Sequence, residues 1–372
     1  MIEWGGEQRE AYLALALIPG IGAARLNALL DRFETPNGAL SAPFELLRTV
    51  PEIFPATATA IGNADRRAAR EALATLDTMG GRLLLPGDPD FPPALTVIPE
   101  PPVHLFALGN LELLTRPCVA IVGSRDHSAY GGEVCRNLAR AVAEAGLVVV
   151  SGMARGLDAV AHAGALEAKG STIGVLGNGL GVVYPAANRD LYRSVERSGL
   201  LLTEFPPGER PRIGSFPRRN RMISGLARVV IVVEAAESSG ALQTVACALE
   251  QGREVLAVPG QITSPVSAGT NRLIRDGATP LLELDDLLAH FPEFAREAPP
   301  VPVGLATGGA GPLEARLVRA LWSGPRRADE LVELAAAPVE AALDALSALE
   351  LGGRVRQEPG GLYRLARPQL FG

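Results

Sequence analysis

The sequence has little of several residue types, and each shortage excludes a class of protein. Its 372 residues include three cysteines, an odd number scattered along the chain, and four histidines without metal-ligand spacing. This excludes a disulfide framework and a zinc knuckle and fits a reducing cytoplasm. No apolar run approaches the roughly 18–20 residues of a membrane span, and the first ten residues lack the pattern of a signal peptide. We therefore expect a cytoplasmic protein with no metal site and no contact with a membrane.

Lysine is almost absent, since only Lys169 among the 35 basic residues is a lysine. The chain as a whole is acidic, with a formal net charge of -6. This argues against a protein that coats nucleic acid with its whole surface, but it leaves room for one focused cationic groove. Residues 209–228 contain six arginines and one acid and run into an apolar strand. The cluster therefore points to an anionic ligand.

Composition divides the chain into four predicted parts. Residues 1–82 show helical patterns on both sides of Pro19–Gly22, which predicts a helix-hairpin-helix or SAM-like domain. That hairpin either holds a DNA phosphate or is only a tight turn between helices. Residues 83–295 form the predicted core, 296–312 a Pro/Gly-rich flexible linker, and 313–372 a winged-helix domain.

The core alternates apolar strands with amphipathic helices. This pattern predicts an α/β fold, a Rossmann-like doubly wound parallel sheet with helices on both faces. The predicted strands cover residues 118–124, 147–152, 172–177, 200–205, 229–235 and 254–260.

Four of these strands end in glycine combined with serine, asparagine or arginine. Ligands of open α/β sheets bind at the carboxyl ends of the strands. Glycine allows a phosphate to approach the backbone, and hydroxyls and helix-start amides can bind its oxygens. We therefore predict a phosphate-binding edge made of Gly123, Ser124, Arg125, Gly177, Asn178, Gly179, Ser239 and Gly240.

The arginine cluster contains the sequence FPRRNR, in which an aromatic ring stands beside three cations. Proteins bind single strands with such a combination, because cations follow the phosphates while a ring stacks on a base. Arginines three residues apart share one helical face, and we expect at least one of them to pair with Glu204 or Glu234 instead of with DNA. The predicted DNA contacts of this segment are Phe216, Arg218, Arg219, Asn220 and Arg221.

Patterns typical of nucleotide enzymes are missing from the sequence. The first strand is not followed by G-x-G-x-x-G, and no P-loop pattern occurs. No nucleophile set stands out, and we interpret His162, one helical turn after Asp158, as part of a buried structural pair. We therefore predict no catalytic residue, no cofactor and no enzymatic activity. The alternative is a Rossmann-like hydrolase of nucleoside monophosphates, although residues 237–250 lack the Pro-Gly-Gly-x-Gly-Thr signature of such enzymes.

The last helical pattern of the winged-helix domain, residues 338–353, contains three acids and no cation. A helix that enters a DNA groove needs hydrogen-bond donors. We therefore predict a protein-contact or structural role for this helix, which also counts against a transcription regulator. A lesser option for DNA contact lies in the wing, at Arg354, Arg356 and Arg364.

Taken in order, the segments between about residues 83 and 290 resemble the DNA-processing protein A family (DprA, also called Smf). The resemblance includes AIVGSRDHSAYG, VVSGMARGLDAVAHAGAL, FPRRNRMISGLA and GTNRLIRDGA. By position, it implies DNA contacts at residues 123–125 and 216–221. The chain departs from the family in Ala241 and Val245 of its last glycine motif. Where other members have lysines in the groove, this sequence must use arginine or Lys169.

The resemblance also implies a function. Members of this family have a Rossmann-like core that binds single-stranded DNA without strong sequence preference and forms a homodimer. They protect incoming DNA and deliver it to the RecA recombinase, past single-strand binding protein, during natural transformation. We expect the same partners for this chain.

Overall fold

The computed structural model describes residues 5–168, 170–294, 312–321, 325–352, 354–358 and 361–365. The chain divides into two compact units, residues 1–290 and 291–372. Lys169 and the predicted linker, apart from Pro312, lie outside the described residues. The bounds of the four predicted parts stay predictions.

Six helices precede the sheet. α1 and α2 flank the predicted hairpin, in which Gly20 has a φ of +86° that glycine adopts without strain. α3 and α5 each begin with a proline, whose fixed φ suits the first turn of a helix. Leu13, Leu26 and other buried residues of this layer pack with Phe106 and Leu201 of the sheet. The helices are α1 Gly6–Ala16, α2 Ala23–Phe33, α3 Pro36–Leu40, α4 Phe44–Leu47, α5 Pro55–Gly62 and α6 Arg67–Thr78.

Nine strands form one sheet in the order β1-β2-β6-β5-β4-β3-β7-β8-β9. The seven strands β3 to β9 run parallel to one another. At one edge, β2 pairs antiparallel with β6, and β1 pairs antiparallel with β2. The six predicted strands are confirmed, whereas β1, β2 and β9 were not predicted. The strands are β1 Arg82–Leu84, β2 Leu105–Gly109, β3 Cys118–Val122, β4 Val148–Ser151, β5 Thr172–Val175, β6 Leu200–Thr203, β7 Val229–Val232, β8 Glu254–Ala257 and β9 Thr279–Pro280.

Helices cover both faces of this sheet, so the doubly wound fold is confirmed. β3 pairs with β4 on one side and with β7 on the other, and chain order reverses there. Residues of α10 and α11 share one core with Ala120, Val150 and Val175, and α7, α8 and α9 pack on the opposite face. The helices are α7 Ala129–Glu144, α8 Leu157–Glu167, α9 Arg189–Ser198, α10 Ser215–Leu226, α11 Ala241–Glu250, α12 Ala268–Arg275 and α13 Leu284–Leu288.

The second unit has the element order of a winged helix, as predicted. Its three-stranded sheet has the order β10-β12-β11, and its core contains Leu317, Leu331, Leu346 and Val355. Across the described ranges of both units, none of the helices has the length and apolar character that crossing a bilayer requires. The elements are α14 Pro312–Ala320, β10 Arg326–Arg327, α15 Ala328–Ala335, α16 Val339–Leu351, β11 Val355–Glu358 and β12 Leu362–Leu365.

His162 of α8 is fully buried and has a fixed hydrogen-bonding pattern. Its Nδ1 lies 2.7 Å from Thr172 Oγ1, which donates its own proton to the Val149 carbonyl. Its Nε2 accepts the backbone N–H of Met153 at 3.4 Å, so the ring proton resides on Nδ1. These partners, rather than Asp158, hold the ring, and the expected pairing of the two side chains is not seen. Burial lowers the pKa of His162 to about 3.

Acid should therefore destabilise this unit through His162. Below a pH of about 6.5, His162 is protonated in the unfolded chain, whereas in the folded chain it stays neutral down to about pH 3. The free energy of unfolding should fall through this window, by about 2 kcal/mol at pH 5 from His162 alone. Urea titrations at several pH values measure it. His162→Gln should flatten the slope; an unaltered slope in this variant would contradict the assignment.

Candidate nucleic-acid interface

A cleft of about 340 Å³ opens at the carboxyl ends of β3, β4 and β5. Each of these strands ends in a turn that contributes backbone to the cleft, and α10 contributes an aromatic ring. The sequence predicted four of the lining residues: Arg125, Gly177, Asn178 and Phe216. The other six are Gly152, Ala154, Arg155, Tyr184, Pro185 and Tyr192.

Two aromatic rings and one guanidinium lie together in this cleft. The ring centroids of Phe216 and Tyr184 are 5.5 Å apart, and the Arg125 guanidinium carbon lies 5.9 Å from the centroid of Phe216. A Cβ at Gly177 would come within 2.9 Å of the Phe216 ring, so glycine is needed for this packing. Phe216 is half-buried, whereas Tyr184 is 45% exposed. Tyr184 therefore offers the more accessible ring for stacking.

Arg125 carries the charge of the cleft. Its side chain is exposed and forms no ion pair with any carboxylate in the described part of the chain. Its neighbour Arg155 is exposed too, but it is paired with Asp126 at 2.9 Å. An unpaired guanidinium beside two rings provides both a phosphate contact and a stacking surface, which is the combination that single-strand binding uses.

Arg219, predicted as a DNA contact, points into the protein instead. It is 4% exposed, and its Nη1 donates to the carbonyls of Gly152 and of Val175, the latter at 2.6 Å. Asp158 borders the same space, since a Cβ at Gly152 would lie 2.5 Å from Arg219 Nη1 and 2.6 Å from Asp158 Oδ2. Burial raises the pKa of Asp158 and lowers that of Arg219, and the attraction between the two charges opposes both shifts. Arg219 therefore holds the ends of β4 and β5 in place beneath the cleft.

Arg218 and Arg221 share one face of α10, as expected, and both contact the buried carboxylate of Glu204. The Nη2 atoms of Arg221 and Arg218 lie 2.5 Å and 3.5 Å from it. The expectation that an arginine pairs with Glu204 is confirmed. The idea that every arginine of the segment FPRRNR faces an open groove needs correction: Arg219 and Arg221 are buried, and of its three arginines only Arg218 is exposed. Asn220 is buried as well. Whether Arg218, Asn220 or Arg221 contacts DNA stays a prediction.

The predicted polar groups at the strand ends have partners within the protein. Ser124 Oγ donates to the carbonyl of Asp126, and the Asn178 amide donates to the carbonyls of Gly179 and Val182. Ser239 Oγ accepts the backbone N–H of Ala241. These side chains fix the turns, and their contact with phosphate stays a prediction. Outside the cleft lining lie Gly123, Ser124, Gly179, Arg218, Arg219, Asn220, Arg221, Ser239 and Gly240.

Glu234, at the end of β7, occupies the start of α7. Its carboxylate accepts the backbone N–H of Ser128 at 2.9 Å and the Ser128 hydroxyl at 2.6 Å. Any Cβ at Gly131 would overlap this carboxylate. In dinucleotide-binding sheets the pyrophosphate binds at the N-terminus of the helix that follows the first parallel strand, and α7 after β3 is the counterpart here. Here a carboxylate fills that position, so a phosphate would meet a fixed negative charge.

Sequence reasoning missed Tyr184. This residue follows the strand-end glycines by several residues, and its position depends on contacts distant in sequence. Tyr192 donates its hydroxyl to the Tyr184 carbonyl at 2.9 Å, and Asn188 donates to the carbonyls of Met153 and Ala154. The signal that could have found it is the aromatic–proline pair in VVYPAAN, close behind a glycine-rich strand end.

Comparisons with known proteins find related families, sequences and solved structures. The pattern of the family "DNA recombination-mediator protein A" matches residues 82–292, and that of the "DprA winged helix domain" matches residues 297–361. Protein Smf of Escherichia coli (strain K12) is 40% identical over 291 residues, which are 76% of this chain and 78% of that protein.

Two solved structures share the fold. DNA processing protein A from Streptococcus pneumoniae has a TM-score of 0.66 and 35% identity, over 75% of this chain and 97% of that one. DNA processing protein A from Helicobacter pylori has a TM-score of 0.52 and 29% identity, over 57% of this chain and 96% of that one. The Helicobacter structure was determined to explain a single-stranded DNA binding mode.

Because Arg219 is buried, we expect its removal to lower the free energy of unfolding. Arg219→Ala leaves Asp158 buried without the positive charge nearby and removes three hydrogen bonds, to Gly152, Val175 and Asn220, which should cost about 3–5 kcal/mol. Urea denaturation of the full chain measures this loss. Arg125→Ala is the matched control and should stay within about 0.5 kcal/mol of the wild type, because its side chain is exposed. Wild-type stability of Arg219→Ala would contradict the structural role.

Proposed function

This chain belongs to the DNA recombination-mediator protein A family, as its sequence suggested, and from that premise we propose that it binds single-stranded DNA in the cleft and loads the RecA recombinase onto it. It protects incoming DNA in the cytoplasm during natural transformation and displaces single-strand binding protein. The observation that carries this proposal is the cluster of Arg125, Phe216 and Tyr184 at the carboxyl edge of the sheet.

The chemistry of the cleft fits an unpaired strand better than a duplex. Stacking needs a base whose face is free, and bases in a duplex have none to offer. Any base has such a face, so an aromatic platform binds without strong sequence preference. The Helicobacter relative, with its single-stranded DNA binding mode, supports the same ligand class for this chain.

The alternative, hydrolysis of nucleoside monophosphates, receives less support. The carboxylate of Glu234 takes the helix start that a nucleotide phosphate would use. The cleft itself has three aromatic rings and two guanidinium groups but no carboxylate among its ten lining residues. The proposed function is therefore binding and transfer of a strand, without catalysis.

We also expect a homodimer formed through the core. Three large apolar side chains are exposed near the β8 and β9 end of the sheet: Leu249 (63%), Ile262 (95%) and Leu282 (63%). Leu249 precedes β8, and Ile262 and Leu282 follow β8 and β9, so all three flank the edge strands. Exposed apolar groups beside edge strands favour an interface. Sedimentation equilibrium should give the mass of two chains, and a monomer at micromolar concentration would refute this part.

The salt dependence of DNA binding should distinguish the contribution of charge in the cleft from that of stacking. Arg125→Ala should weaken binding of fluorescent oligo-dT and reduce its salt slope by about 0.7, one phosphate contact on a single strand. Tyr184→Ala should cost about 1–3 kcal/mol at every salt concentration, because stacking carries no counterion. Tyr184→Phe should bind normally.

The matched control is Arg140→Ala, an exposed arginine in the last turns of α7, away from the carboxyl edge of the sheet. It should change neither affinity nor slope. If Arg125→Ala and Tyr184→Ala both bound oligo-dT as the wild type does, the cleft would not be the binding site.

RecA loading should be visible as a shorter lag. RecA hydrolyses ATP slowly on single strands already coated with single-strand binding protein, since filament nucleation limits the rate. The wild-type protein should shorten this lag, and Arg125→Ala combined with Tyr184→Ala should not. A protein that binds oligo-dT tightly and leaves the lag unchanged would refute the loading role while leaving DNA binding intact.

A further inference from the structure

Helix α16 of the winged helix has an unusual outer surface. Its inner face packs Ala342, Leu346 and Leu349 into the core. Its outer face exposes two large apolar side chains one turn apart, Val339 (59%) and Leu343 (40%). Residues four apart lie on the same side of a helix, so these two form an apolar row.

A second row, of acids, runs beside the first. Glu340 and Asp344 each follow a member of the apolar row by one residue, and both are exposed. Neither forms an ion pair with any of the described residues. Among its thirteen residues α16 has no arginine or lysine. The helix thus pairs an apolar row with a negative row.

Two further large apolar side chains of this unit are exposed. Leu334, near the end of α15, is 55% exposed, and Leu351, the last residue of α16, is 91% exposed. The whole second unit has a small core, so four large apolar groups left in water are a sizeable cost. Exposed apolar groups next to charges are typical of protein-binding sites.

In DNA-binding winged helices, the corresponding helix enters the major groove and donates to bases and phosphates. The outer face of α16 offers carboxylate acceptors and no cationic donor, and its charge would repel phosphates. We propose that this face instead docks a basic amphipathic helix of a partner protein. The apolar residues of that helix pack against Val339 and Leu343, and its lysines or arginines face Glu340 and Asp344. This inference does not depend on the DNA-binding cleft.

A peptide probe tests the proposal with the full chain. The probe is a fluorescein-labelled 14-residue peptide of leucine and lysine, with leucines at helical spacing i, i+3, i+4 and i+7. One comparison peptide has the same composition in scrambled order, and another has glutamate in place of lysine. Fluorescence anisotropy at physiological salt should detect binding of the lysine probe only.

Variants locate the binding to α16. Leu343→Ser should weaken the lysine probe by about tenfold or more, as loss of a central apolar contact does. The double variant Glu340→Arg with Asp344→Arg should lose the lysine probe and bind the glutamate peptide instead, which a misfolded domain could not do. Glu196→Arg, a charge reversal on the exposed side of α9, should bind as the wild type does. All variants should keep wild-type affinity for oligo-dT.

Three results would overturn the proposal. The scrambled peptide could bind as well as the lysine probe, which would show charge attraction alone. Duplex DNA could bind and be lost in Leu343→Ser, which would make α16 a DNA-reading helix. Self-association could be lost in the same variant, which would make a second copy of this chain the occupant.

Discussion

The cleft depends on the buried guanidinium of Arg219, which donates to the carbonyls of Gly152 and Val175 and has the charge of Asp158 nearby. Removing a guanidinium from water costs several kcal/mol unless opposite charge and hydrogen bonds replace the lost solvation. Here the carbonyls of Gly152 and Val175 and the nearby carboxylate of Asp158 supply both. These hydrogen bonds link the ends of β4 and β5 to α10. Phe216 lies one helical turn before Arg219 on α10, so they help to fix the position of its ring.

The arginines of the cluster thus have different roles. Arg219 stabilises the floor of the cleft, and Arg221 neutralises the buried Glu204. Within the cleft, the unpaired charge comes from Arg125, which follows β3 and lies outside this cluster. A cluster of cations in a sequence shows how much charge is present; which cations reach solvent depends on the carboxylates and carbonyls that the fold places around them.

Features that depend on local sequence patterns were predictable, whereas features that depend on contacts between distant residues were not. The six predicted strands are short apolar runs, and all but β7 have a glycine close to one end, so their place in a buried sheet was predictable from local pattern alone. β2 was not, because the prolines around it resemble a boundary between domains. The position of Phe216 beside Arg125 follows from the rule that strand ends meet at one edge. The stacking of Tyr184 and the inward turn of Arg219 arise from contacts between residues far apart in the chain, which no local pattern encodes.

The central claim is that a base of the bound strand stacks on the ring at position 184. The variant Tyr184→Trp turns this ring into a fluorescent reporter. On titration with oligo-dT, the additional emission of this variant over the wild type should be quenched, and the quenching should saturate together with binding measured by anisotropy of a labelled oligonucleotide. Saturated binding with unchanged emission from this tryptophan would contradict the account.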